Sequence, residues 1–172
     1  MTIEIERKFL LKSIPNKKPS ETIEIFQWYF KNDSGVWERA RSCYSDIRGF
    51  YFVHTIKKSI SPGINEEDEK EITSEQFNEF VNRCKLGQSR YISKQRQVFI
   101  DGELKWEVDV FNNGHYLIIA EVELPAIDYP ITLPKFISET LLLEVTGMKQ
   151  FGNKNLSNKF IIHTKKNYEQ QT

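Results

Sequence analysis

The chain has 172 residues, of which 39% are hydrophobic and 13% aromatic, enough apolar material for one packed domain and too much for a disordered chain. Its 24 basic and 24 acidic residues cancel to a formal net charge of zero, so overall charge gives no ground for a nucleic-acid polymer or a membrane as partner. Apolar runs such as "YLIIA" are too short to span a bilayer, and His54, His115 and His163 lack zinc-site spacing.

In chain order, the opening "TIEIERKFLL" alternates apolar and charged residues, the period of a β-strand. It meets no basic leader followed by an apolar run, and with two lone cysteines, Cys43 and Cys84, this predicts a cytoplasmic protein. Further strand patterns follow, each bounded by turn residues such as Asn32 to Gly35, Asp46 to Gly49 and Ser61-Pro62-Gly63. The eight strand candidates lie near 3–11, 22–30, 36–44, 50–58, 66–72, 91–100, 104–111 and 116–124. Between the fifth and sixth the period changes. Phe77, Phe80, Val81 and Cys84 recur at helical spacing, Thr73 with Gln76 makes a capping box, and Gly87 suits the stop. Asp101-Gly102 and Asn112-Asn113-Gly114 read as hairpin turns. A second helix is expected to start near Pro134, since Pro is welcome at the first helical position, with Phe136, Ile137, Thr140 and Leu141 facing inward. A last short helix should hold Leu156 and Phe160, and residues 165–172 read as a frayed tail. No linker divides the chain, so one domain over 1–172 is expected.

The strands share one peculiarity. Charged residues of one sign recur two apart: Glu4 and Glu6, Arg39 and Arg41, Glu69 and Glu71, Lys94 and Arg96, Glu107 and Asp109, Glu121 and Glu123. On any single strand this reads as a face turned to water. A solvated sheet face mixes signs, however, because like charges side by side repel. Ile5, Ala40, Val108 and Val122, which lie between the charges, point the other way. The pattern therefore predicts an α+β protein: a closed eight-stranded antiparallel β-barrel, a tunnel with helices packed outside and an ionic interior. Lys8, Arg39, Arg41, Lys57, Lys94 and Arg96 would face inward opposite the carboxylates; alternation with Thr55 favours Lys57 over Lys58, and Glu67 shares a face with Glu69 and Glu71. Carboxylates suit Mg²⁺ or Mn²⁺, and Arg and Lys suit phosphate, so a polyphosphate carrying metal would satisfy both linings. A barrel lined by salt bridges alone is the plainer alternative, but buried ion pairs stabilise weakly.

These residues resemble the CYTH superfamily, the triphosphate tunnel metalloenzymes. Glu4-x-Glu6-x-Lys8 resembles the family signature, and the likeness continues in order through "QWYF", "ERAR", "HTIKK", "EKEI", "KQR", "WEVDVF", "AEVELP" and "EVTGMKQFGNKNL". The resemblance is closest to small bacterial inorganic tripolyphosphatases. It implies Mg²⁺- or Mn²⁺-dependent hydrolysis of a triphosphate, most simply inorganic tripolyphosphate, by a monomer or homodimer. It also implies metal ligands among Glu4, Glu6, Glu69, Glu71, Asp109, Glu121 and Glu123. Phosphate would be gripped by Lys8, Arg39, Arg41, Lys57, Lys94 and Arg96, and catalysis would involve Glu4, Glu6 and Lys8; Tyr29, two residues after Gln27, reads either as a catalytic residue facing the tunnel to bind or orient a water or as a packed rim aromatic. The superfamily also contains adenylyl cyclases and thiamine and nucleoside triphosphatases, and a non-catalytic polyphosphate-binding domain is a further alternative. Phe151 stands where the family's late motif usually has Tyr. Trp28, Trp37 and Trp106 read as core.

Overall fold

The computed structural model describes residues 1–86, 90–112 and 116–160. Nine strands form one antiparallel sheet: β1 (Thr2–Leu11), β2 (Glu21–Lys31), β3 (Trp37–Ser45), β4 (Gly49–Ser61), β5 (Ile64–Ile72), β6 (Arg90–Asp101), β7 (Leu104–Phe111), β8 (Leu117–Glu123) and β9 (Leu141–Glu144). Their order is β5-β4-β3-β2-β6-β7-β8-β1-β9, and a further β5–β1 pairing closes the first eight into a barrel. β1 makes the closure possible. Its first residues pair with β5, Thr2 opposite Glu67 and Ile5 opposite Ile64, while Glu6 to Leu11 pair with β8. The eight strands fall where alternation predicts them.

β9 was not expected from the sequence. It pairs with Phe9, Leu10 and Leu11 where β5 has left that edge of β1. Four residues in "LLLE" carry too short a pattern to read; what makes them a strand is an open edge elsewhere in the chain.

Helix α1 (Ser74–Leu86) lies outside the barrel. Its capping box forms as predicted: Gln76 donates its backbone N–H to Thr73 Oγ1 at 3.3 Å, and Thr73 donates to Gln76 Oε1 at 3.0 Å. Phe77, Phe80 and Cys84 cover Ala40, Trp28 and Phe30 on the outer sheet face. Helix α2 is only Lys135–Ser138, and Pro134 is its extended cap rather than its first helical residue. Without a free N–H, Pro loses nothing at a helix entrance, and its ψ of 152° keeps it outside the turn. Ile137 is buried, whereas Leu141, expected on the same helix, begins β9. Helix α3 is Asn153–Phe160 with Leu156 buried. Gly87, the Asn113-Gly114 turn, the Phe160 side chain and residues 165–172 lie outside the described residues.

The largest apolar cluster is outside the barrel: Phe9, Leu11, Trp106, Val108, Ile118, Ala120 and Val122, sealed by Ile137 and Phe136. Each large side chain fully buried there contributes about 1.5–3 kcal/mol. Inside, the lining is not ionic throughout. Tyr29, Ile92, Phe111, Ile119 and Leu156 fill one end, and Ile23, Ile25, Cys43, Val98 and Tyr51 line the other. A barrel of this size is filled mostly by side chains, so apolar ends confine the charges to a central belt. Among the described residues no helix is long and apolar enough to cross a membrane.

Candidate active site

The central belt lines a cavity of about 1530 Å³ that holds Glu4, Glu6 and Lys8 of β1, Arg39 and Arg41 of β3, Lys57 of β4, Glu67 and Glu69 of β5, Arg96 of β6, Glu107 of β7, and Glu121 and Glu123 of β8. Strand register brings them together: Glu6 stands opposite Glu123, Lys8 opposite Glu121, and Lys57 opposite Glu67. A tight turn sets the height of β1. Gly63 has φ of +75°, accepts the Glu6 N–H at 2.8 Å, and approaches so closely that a Cβ would lie 2.7 Å from the Glu6 carbonyl oxygen.

Each wall is held by the other. Lys57 Nζ bonds Glu4 at 2.5 Å and Glu6 at 3.3 Å, and Lys8 Nζ bonds Glu121 at 2.8 Å. Arg39 reaches Glu67 at 3.0 Å, and Arg41 reaches Glu69 at 2.5 Å. Burial pushes Glu121 up, but Lys8, Lys94 and Arg96 outweigh it and hold the carboxyl well below the usual range. Burial also opposes the charge on Lys8, yet Glu121 and Glu6 raise its pKa above the ordinary value. Glu67 behaves oppositely. Burial, reinforced by neighbouring Glu4, pushes it up to about 7 although Arg39 and Lys57 pull the other way. Burial, then Glu4, raises Glu123 as well.

Several buried polar atoms in or beside the belt have no hydrogen-bond partner: Nε of Arg39, Nε of Arg41, Oε2 of Glu67 and Oε1 of Gln27. Lys57 Nζ lies 3.2 Å from Glu67 Oε2, close enough for attraction but without hydrogen-bond alignment. Buried donors without acceptors are costly, and two guanidinium N–H groups on one wall suit an anion rich in oxygen.

Not every predicted residue joins the belt. Lys94 and Asp109 face inward but are 1% and 0% exposed and do not line this cavity; they are sealed below Arg96. Lys94 Nζ bonds Asp109 at 2.5 Å, while Arg96 bonds Asp109 at 2.7 and 2.8 Å and also contacts Glu107 and Glu121. Burial drives Lys94 down to about 8 despite Asp109. Glu71 sits at the rim and pairs with exposed Arg48. Glu67, by contrast, is buried at the centre. Parity places Glu67, Glu69 and Glu71 on one face alike, and only the pairing with β1 shows which lies deepest. Tyr29 is buried with its ring in the apolar end, its hydroxyl accepts from Gln27 Nε2 at 2.5 Å, and it lines the cavity. Trp106 is core, but Trp37 lines the tunnel mouth.

The carboxylates of the belt form a donor set for a hard divalent cation. Glu6 and Glu123 face each other across β1 and β8, and Glu123 is further crowded by Glu4 and Glu107. All are oxygen donors, the crowding is of the kind a divalent cation relieves, and the group fits. Among the described residues no three such side chains yet converge as a ligand cluster, because Lys57 stands between Glu4 and Glu6.

No protein-family model matches the chain, and no curated protein sequence does. Among solved structures, the inorganic triphosphatase NE1496 is 26% identical over 90% of this chain and 97% of that one, with a TM-score of 0.58. A conserved hypothetical protein from Pyrococcus furiosus is 20% identical over 73% and 80% of the two chains, with a TM-score of 0.52. The PH1819 protein from Pyrococcus horikoshii OT3 is 16% identical over the same shares, with a TM-score of 0.51. The two Pyrococcus likenesses bear on the fold alone.

Proposed function

Since the chain is a CYTH-type tunnel barrel, we propose that it is a Mg²⁺- or Mn²⁺-dependent triphosphatase whose leading substrate is inorganic tripolyphosphate, acting in the cytoplasm as a single tunnel domain over 1–172. The observation that carries this reading is one cavity lined both by Arg39 and Arg41, each with a buried Nε donor that has no partner, and by the carboxylates of β1, β5, β7 and β8. The likeness to the inorganic triphosphatase NE1496 supports it.

Arg39, Arg41, Lys57, Lys8 and Arg96 bind the phosphate oxygens, the arginines by directed N–H bonds and the lysines as point charges. Substrate oxygens thereby take over the partners that hold the carboxylates, which frees Glu4 and Glu6 from Lys57. Glu4, Glu6, Glu121 and Glu123 would hold the metal, with Glu69, beside Arg41, and Glu71, at the rim, as further oxygen donors. Mg²⁺ or Mn²⁺, when bound, supplies Lewis-acid polarisation of phosphate oxygens and a more acidic water. A β1 glutamate, Glu4 or Glu6, accepts the proton as the water oxygen bonds to the terminal phosphorus and the phosphoanhydride bond breaks, releasing orthophosphate and diphosphate. The arginines offset charge on the leaving oxygen. The Tyr29 hydroxyl, bonded to Gln27 Nε2 on the cavity wall, orients a water. Asp109 and Lys94 act by fixing Arg96.

The test is phosphate release from tripolyphosphate, thiamine triphosphate and nucleoside triphosphates, each with Mg²⁺ and with Mn²⁺. Fastest release from tripolyphosphate is expected. Formation of cyclic AMP and diphosphate from ATP, or tight binding with no release from any substrate, would overturn the reading.

A further inference from the structure

Four cations gather where α3 meets the tunnel: Lys31 at the end of β2, Arg90 at the start of β6, Lys149 in the 3₁₀ turn Lys149–Phe151, and Lys154 in the first turn of α3. Two are held against one ring, the Arg90 guanidinium 4.4 Å and the Lys154 ammonium 5.1 Å from the Trp37 centroid. None of the four has a carboxylate partner among the described residues, whereas Lys8, Arg39, Arg41, Lys57 and Arg96 all do. The repulsion is felt within the cluster: burial first, then Arg90, Lys31 and Lys149, make Lys154 less basic. Trp37, Lys149 and Lys154 line the same cavity as Arg39. Trp37 precedes Arg39 by two residues on the inner face of β3, about 7 Å along the strand.

We propose that this cluster is a second phosphate site, taking the far end of a linear phosphate chain longer than the central belt holds. The proposal rests on the belt holding phosphate. A bare anion suits the cluster better than an organic group, because the Trp37 ring is already engaged by two cations and what remains unsatisfied is positive charge. The wall from Arg39 to Trp37 is continuous, so one chain can touch both sites. The second site adds affinity without new chemistry, and only for chains that reach it.

Calorimetric titration of the full chain without divalent metal, at fixed ionic strength, tests this with tripolyphosphate and tetrapolyphosphate. The longer chain should bind about tenfold tighter, the size of one added charge-assisted hydrogen bond. The double variant Lys149→Ala/Lys154→Ala should bind both chains alike, with tripolyphosphate affinity unchanged, while Arg48→Ala at the opposite mouth keeps the preference. Lys149→Gln, at an exposed position, should already reduce the preference and serves if the double variant does not fold. Equal affinity of the wild type for both chains, or a preference that survives the lysine variants, overturns the proposal. Arg39→Ala separates the two readings: it should weaken both chains equally. A wild type that prefers the longer chain but is indifferent to Arg39→Ala sinks the central site, and with it the proposal that one chain spans both sites.

Discussion

Asp109→Ala tests whether the floor beneath the belt is a sealed ionic support or part of the metal site. The carboxylate is 0% exposed and receives one bond from Lys94 and two from Arg96. Arg96 keeps Glu107 and Glu121 after the substitution, but Lys94, 1% exposed, keeps no hydrogen-bonded carboxylate. Removing one partner of a buried pair costs about 3–5 kcal/mol because the other charge is left without compensation. For a chain of this length each kcal/mol moves the midpoint by about 2–4 °C, so a fall of about 6–20 °C is expected. The assay is thermal unfolding followed by circular dichroism, with EDTA and again with Mg²⁺. The double variant Lys94→Met/Asp109→Ala should recover much of the loss, since no unpaired ammonium remains. A midpoint within a degree or two of the wild type in EDTA, with a deficit only when Mg²⁺ is present, would refute the sealed floor and return Asp109 to the metal ligands.

Glu6→Gln should lower metal-dependent phosphate release by at least about 100-fold, since a proton acceptor alone contributes that much, while the unfolding midpoint in EDTA stays near that of the wild type. Glu67 sets a pH dependence: its pKa rises from the ordinary 4.5 to about 7, so its stabilising contribution is complete below 4.5 and is lost as pH rises through 7. Urea unfolding in EDTA should therefore show Glu67→Gln gaining up to about 3 kcal/mol on the wild type between pH 4.5 and pH 8; an unchanged difference would count against the crowding of Glu4 and Glu67. Glu107 has the opposite sign. Burial disfavours its charge, but Arg96 and Lys105 lower it to about 2, so its contribution is present above pH 4.5 and fades as pH falls toward 2; Glu107→Gln should flatten that acid limb in the same assay. Thr73→Ala removes the α1 cap and should cost about 1 kcal/mol in urea unfolding, with no effect on phosphate release.

Alternation alone placed the eight barrel strands and named both charged walls, because a strand sends successive side chains to opposite faces and a period of two survives in any context. The α1 cap was legible for the same reason: Thr73 and Gln76 act within one turn. Period, however, carries no depth. Glu67, Glu69 and Glu71 share a parity, yet the pairing of Thr2 with Glu67 puts one at the centre and leaves another at the rim beside Arg48. Lys94 and Arg96 likewise share a face, and only the packing of Phe111, Ile92 and Leu156 across the barrel end seals one of them away. β9 became a strand because β5 ends and leaves an edge of β1 unpaired, and Trp37 became a rim residue because α3 and β6 bring cations to it. Local chemistry determined which way each side chain points; closure of the barrel, which joins residues far apart in the chain, decided how deep each one lies and what it meets there.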